Sequence, residues 1–258
     1  MKNYFRMIML LLLLSLKGMA ADNDSLRVLW IGNSYTYFND LPTLVRDIAG
    51  SQRVKLSMTA VLKGGERLAG HLKNEQLLKA FKQGGWDYVI VQEQSTLPAM
   101  STAEVNREVY PYAHTIDSLI HQGSPKAQVI LYMTWGHKYG TIYKVDYPLA
   151  KRYDTMQERL ITSYLEMAIA ENAWCAPVGM AWRTIRQTHP ELQLYADDTT
   201  HPSLLGSYLA ANVIFTTIYQ KPYQTGVKRG IDDATAELLQ QTAQQCVLDN
   251  LGLLNIKH

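Results

Sequence analysis

The chain has 258 residues, enough for one large domain or two small ones. Its 47% apolar and 19% charged content is that of a globular protein with ample material for a core. A formal net charge of +2, with no run or stripe of Lys and Arg, argues against nucleic acid as a partner.

The first twenty residues form a separate object. Lys2 and Arg6 precede the apolar stretch Met7 to Leu16, and Gly18 and Ala20 supply small residues before a cut. That order of charge, apolar run and small residues predicts a secretory signal peptide over 1–20. A single domain over 21–258 is then expected to be exported, either periplasmic or secreted. The apolar stretch is short for a bilayer span and no cysteine sits at the cut, so no stable membrane anchor is expected.

Apolar strands then alternate with helical segments. "LRVLWIG" reads as a first strand, followed by a helix over Leu41 to Ala49. "KLSMTAV" is a second, followed by a glycine turn and helical residues to about Gln83. "WDYVIVQ" is a third, with a helix over Thr102 to Gln122. "AQVILYMTW" is a fourth, with a helix over Lys151 to Asn172. "AWCAPVG" is a fifth. A last amphipathic helix covers Asp232 to Leu251, and Gly136 to Pro148 is a Tyr-rich loop. Near-continuous apolar strands between helices predict an α/β domain with a mostly parallel sheet covered on both faces. Cys175 and Cys246 fall on apolar positions and read as two free buried thiols. No CxxC or Cys/His cluster suggests a metal site.

Ligands of open α/β sheets bind at the carboxyl ends of the strands. The first strand ends in Gly32-Asn33-Ser34, the second in Lys63-Gly64-Gly65, and the third in Gln92-Glu93-Gln94-Ser95. Before the last core helix, which Pro202 opens, stands Asp198-Thr199-Thr200-His201. Acyl transfer needs a nucleophile, a base, a group that orients the base, and donors for the oxyanion. Ser34, His201 and Asp198 supply the first three, since a serine hydroxyl needs an imidazole in reach and the imidazole needs a fixed tautomer. Gly65 offers a backbone N–H with no side chain in the way. A side-chain amide after the third strand can offer a further donor. His189 lacks an aspartate three residues before it and reads as a helix end, and Asp197 has the wrong spacing from His201. His71, His114 and His121 fall in helical stretches as surface or packed residues, and His137 in the Tyr-rich loop is a candidate contact to substrate.

"IGNSYT", "GGERL" and "DTTHP" resemble the first, second and last blocks of the SGNH (GDSL-like) hydrolases, over Arg27 to about Tyr219. The resemblance implies a flavodoxin-like three-layer α/β/α sandwich with a mostly parallel five-stranded sheet. It also implies Ser34 as nucleophile, Asp198 and His201 completing a triad, an oxyanion hole that includes the Ser34 and Gly65 N–H groups, and no cofactor or metal. The third block departs from the usual Gly-x-Asn-Asp. "VQEQS" is similar instead to the "QGES" block of sialate and carbohydrate acetylesterases, which assigns the oxyanion donor to Gln92. Gln94 is the alternative by strand alternation. The whole pattern also resembles a branch of the superfamily found in gut bacteria. The expected activity is hydrolysis of an O-acyl ester, in the first place O-acetyl on a glycan. The rivals are a non-catalytic glycan-binding module of this fold and an acyltransferase with the same triad.

Overall fold

The computed structural model describes residues 25–257, so the expected signal peptide lies outside the described residues. Strands β1 (Ser25–Gly32), β2 (Lys55–Leu62), β3 (Tyr88–Val91), β4 (Gln128–Tyr132) and β5 (Trp174–Ala176) form one sheet in the order β2-β1-β3-β4-β5. Every strand pair is parallel. Val28 to Ile31, Val89, Ile90 and Ile130 are completely buried, as strands covered on both faces must be. Helices surround the sheet in an α/β sandwich. The strand order reverses at β1, which lies between β2 and β3, so the crevice beyond β1 and β3 is the place where this topology leaves room for a ligand.

Helix Leu204–Tyr219 packs against helices Leu41–Ser51 and Asp233–Leu248. All of residues 206–218 are buried. A helix enclosed by two others and the sheet has no solvent face to keep polar. It begins two residues later than the sequence suggests: Ser203 caps it by accepting the N–H of Gly206, and Pro202 lies just outside.

Two other expectations need correction. β5 has three residues, because Pro177 has no N–H for the ladder, and helix Val178–Thr188 starts at once. The single helix expected over Thr102 to Gln122 is two, Thr102–Glu108 and Tyr110–Gly123, broken at Val109. Pro111 removes one helical donor and its ring would clash with the carbonyl of Arg107. The carboxyl-terminal segment protects the sheet edge: Cys175 donates its backbone N–H to the Leu254 carbonyl. Cys175 and Cys246 are both free, and burial pushes both thiols up. No helix among the described residues is long and apolar enough to cross a membrane.

Candidate active site

β1 ends at Gly32 because nothing larger fits. A Cβ there would lie 2.6 Å from the Thr36 hydroxyl and 2.7 Å from the Gln92 Oε1. The buried Asn33 makes the turn. Its Oδ1 accepts the Tyr35 N–H and starts the one-turn helix Ser34–Tyr37. Its Nδ2 donates to the Glu66 carbonyl at 3.0 Å and ties the turn to the neighbouring Lys63–Glu66 turn. Ser34 therefore stands at the first helical position, with its N–H without a partner among the described residues.

The Ser34 Oγ lies 2.8 Å from His201 Nε2. His201 Nδ1 in turn bonds the Asp198 carboxylate. The other oxygen of Asp198 accepts the N–H groups of Thr200 at 2.9 Å and His201 at 2.8 Å, so the same aspartate folds the loop and orients the ring. Partial burial opposes the charge on Asp198, but the bonds from His201 and from the Thr200 and His201 N–H groups outweigh it and hold the carboxyl at about 2. An ionised Asp198 must accept, so His201 carries its proton on Nδ1 and offers a lone pair on Nε2 to the serine hydroxyl. Asp197 is exposed and has no such contact among the described residues. His189 follows the last residue of helix Val178–Thr188.

The base loop is held from three sides. Trp135 Nε1 donates to the Thr200 carbonyl at 3.0 Å. Lys138 donates its N–H to the Thr199 carbonyl at 2.9 Å. Asn39 Nδ2 lies 3.1 Å from both the Pro202 and Ser203 carbonyls and 2.9 Å from Ser207 Oγ. Asn39 and Asp40 are both in the left-handed region at φ 52°, which short polar side chains tolerate best. The Phe38 ring lies flat on the imidazole of His201, with centroids 4.1 Å apart and planes 10° apart. Asn33, Phe38 and Asn39 were not singled out from the sequence. Asn33 carried a visible signal as an N-cap residue before a turn; the other two act across more than 160 residues of chain.

Gly65 sits at φ +67° with open space where a Cβ would be, and its N–H has no partner among the described residues. The Ser34 and Gly65 N–H groups are thus both available on turns that Asn33 clamps together.

Gln92 does not fit the donor role expected of it. Its side chain is fully buried beneath the nucleophile turn. Its Oε1 accepts the Asn33 N–H at 3.0 Å and the Thr36 hydroxyl at 2.9 Å, and its Nε2 bonds the Glu93 carbonyl. One amide N–H is used in that bond, and the side chain is completely buried, so the other is shut away from a substrate. Gln94 is placed differently. Its Oε1 accepts the Thr96 and Leu97 N–H groups, which fixes the amide, while the only contact of its Nε2 among the described residues is a long 3.5 Å approach to Ser95 Oγ. Gln94 and Gly65 line the same cavity of about 380 Å³, with Arg67, Thr96, Leu97, Met100, Glu104, Tyr143 and Val145.

His137 is also corrected. It is buried behind Ser95, with Nε2 at 3.1 Å from Ser95 Oγ and Nδ1 accepting the Ile142 N–H. Burial, reinforced by the nearby His201, holds it down at about 4. It supports the loop that carries Tyr143 rather than facing a ligand. His71 is packed as well, with Nε2 at 2.9 Å from the Gly32 carbonyl.

Glu93 is buried under the same crevice and accepts N–H groups from Leu68 and Gln94. Burial pushes its carboxyl up to about 7, from 4.5. A carboxyl raised in the folded state makes a contribution that is fully present below pH 4.5 and lost as pH rises through about 7. Stability should therefore fall by about 3 kcal/mol across that window relative to Glu93→Gln, which keeps the accepting oxygen without the charge. Urea midpoints of both proteins at pH 4.5, 6 and 8 test this. Parallel profiles would remove Glu93 as the cause.

Among the described residues no group of three or more His, Cys, Asp or Glu is placed to hold a metal ion. A larger cavity of about 610 Å³, between helix Asp233–Leu248 and the Pro222 to Lys228 segment, shares no residue with this constellation.

No protein-family model and no curated protein matches the chain. Solved structures do. A protein from Slackia heliotrinireducens assigned to the SGNH hydrolases is 29% identical, with 75% of this chain and 99% of that chain covered at a TM-score of 0.61. A DUF4886 family protein from Bacteroides uniformis is 18% identical over 91% of this chain and 97% of that chain, at 0.71. An acetyl xylan esterase from Geobacillus stearothermophilus is 17% identical over 77% and 97%, at 0.53.

Proposed function

We propose that this chain, which is similar in structure to SGNH hydrolases, is an exported serine esterase acting on O-acyl esters. The observation that carries this is the unbroken line of contacts from Ser34 Oγ through His201 to Asp198, beside two N–H groups without partners among the described residues.

Ser34 Oγ attacks the ester carbonyl carbon, and its proton passes to His201 Nε2. Asp198 stabilises the imidazolium through Nδ1–H. The former carbonyl oxygen becomes an oxyanion and accepts the N–H groups of Ser34 and Gly65 and, in this reading, the Nε2 of Gln94. The intermediate collapses, the bond to the leaving oxygen breaks, and His201 returns the proton to the leaving alcohol. Water then repeats the sequence on the acyl-serine, with His201 as its base, and frees the acid.

The substrate is best read as an O-acetyl group on a glycan. The cavity beside Gly65 mixes apolar faces of Leu97, Met100 and Tyr143 with the polar groups of Gln94, Thr96 and Arg67. Such a mixture suits the C–H faces and hydroxyls of a sugar. The fold shared with an acetyl xylan esterase makes acetylated xylo-oligosaccharides the first to assay. Export rests on the charged and apolar pattern of residues 1–20.

Release of 4-nitrophenol from its acetate ester, together with covalent capture by a fluorophosphonate probe, tests the activity. Absence of both in folded protein would return the chain to a binding role. Within that assay Gln94→Ala should lower kcat about a hundredfold with little change in KM, the typical loss for one oxyanion donor. Gln92→Ala should lower the melting temperature instead, since it strips two buried donors at the nucleophile turn of their acceptor. The reverse pattern would restore Gln92 as the donor.

A further inference from the structure

Phe38 faces His201 in a way that packing alone does not require. The two rings are nearly parallel at 4.1 Å, so the imidazole sits over the electron-rich face of the phenyl ring. On another side Tyr35 meets the imidazole edgewise at 5.5 Å. Tyr35 is itself stacked on Trp135 at 4.6 Å, and Trp135 on Trp182 at 3.9 Å. That column is fully buried at its two tryptophans and gives the imidazole a rigid backing. Phe38 cannot swing away easily, because Asn39 next to it is fastened to the carbonyls of Pro202 and Ser203 in the loop that carries His201.

We propose that Phe38 is a positioning residue that stabilises the imidazolium form of His201 during catalysis, a role that rests on the esterase reading above. In the resting enzyme the imidazole is neutral, and stacking supplies little more than dispersion and alignment. When Ser34 gives up its proton the ring becomes a cation, and the phenyl quadrupole attracts it. The charged and titratable groups around the ring are few. Asp198 faces Nδ1, but its side chain is 47% exposed and water screens it. His137 is held neutral by burial. A face-on phenyl ring in direct contact adds an attraction to the cation that exists only after proton transfer. An interaction made only in the transition state raises kcat and leaves KM alone. Both acylation and deacylation pass through the imidazolium, so kcat reports the effect whichever step limits turnover.

The test compares Phe38→Leu, Phe38→Trp and Phe38→Tyr in the full chain on 4-nitrophenyl acetate, with melting temperature recorded for each. Leucine keeps an apolar side chain of similar size without the π face. Phe38→Leu should lower kcat roughly three- to twentyfold, with KM within about twofold and melting unchanged. Phe38→Trp and Phe38→Tyr should recover most of the loss, because they restore a π face. Unchanged kcat in Phe38→Leu overturns the proposal. So does an equal loss in all three variants, which would mean shape alone matters, and so does a rise in KM at constant kcat, which would make Phe38 a substrate contact. Ser34→Ala run alongside separates the two levels: retained turnover there removes the esterase reading itself, whatever the Phe38 series shows.

Discussion

Ser34→Ala should lower kcat by about 10⁵- to 10⁶-fold while the melting temperature stays within a few degrees. In the proposed reaction the Oγ is the atom that bonds the acyl carbon, and nothing beside it can take its place at the same turn. The fold should tolerate the change well. Residue 34 is the first of a short helix, where alanine is acceptable, and the Asn33 cap, the Gly32 approach and the Gln92 bonds beneath the turn do not involve its hydroxyl. The residue 34 N–H survives too, so the oxyanion donors remain and some residual rate over water is expected. A fluorophosphonate should label the native protein on the peptide that contains Ser34, and the variant not at all. Labelling at Ser95 is the outcome that would undo the assignment, since Ser95 also has a histidine within hydrogen-bond distance. The geometry speaks against it. His137 Nδ1 accepts the Ile142 N–H, so the ring proton is on Nε2 and is donated to Ser95; that imidazole has no lone pair with which to take a proton from the hydroxyl.

The parts of this site that were legible in the sequence are those written in local signals. Apolar runs giving way to polar or glycine residues located the ends of the first three strands, and Asp-x-x-His-Pro before a helix located the candidate base, because one loop holds both residues and the loop is made by the aspartate itself. The third block was misread because the donor was assigned to Gln92 by resemblance to the "QGES" block, which does not fix the direction of the side chain. The regular strand stops at Val91, and one further ladder bond, from the Gln92 N–H to the Ile31 carbonyl, turns the Gln92 side chain under the nucleophile turn. Gln94 lies beyond, where Glu93 and a tight turn set the direction. Phe38 and Asn39 look like loop residues because their partners stand at 201 to 207, and no spacing rule links positions so far apart. His137 drew interest for its place in an aromatic loop, yet that loop folds inward there and leaves Tyr143 as the ring on the cavity wall.

His201→Ala should bring turnover to within about tenfold of Ser34→Ala, and the double variant should lose little more than either. Two residues that act on one proton cannot be removed twice: once Nε2 is absent the hydroxyl has no acceptor, and once the hydroxyl is absent the imidazole has nothing to deprotonate. Additive losses, with the double variant falling by the product of the single effects, would mean that Ser34 and His201 work in separate steps and that their 2.8 Å contact is incidental. Asp198→Asn distinguishes the third member from a mere loop former. The asparagine keeps an oxygen for the Thr200 and His201 N–H groups, so the loop persists. Its amide NH₂ would replace the oxygen facing His201 Nδ1 and would donate where the carboxylate accepted. The imidazole must then move its proton to Nε2, which points a donor at Ser34 instead of a lone pair. The expected loss is about 10³- to 10⁴-fold in kcat with the fold preserved, smaller than for either partner because the base is still present. Asp197→Asn, whose exposed side chain touches neither residue, should be nearly silent. An equal loss at both aspartates would place the orienting carboxylate at Asp197 and require the loop to take a different course from the one described.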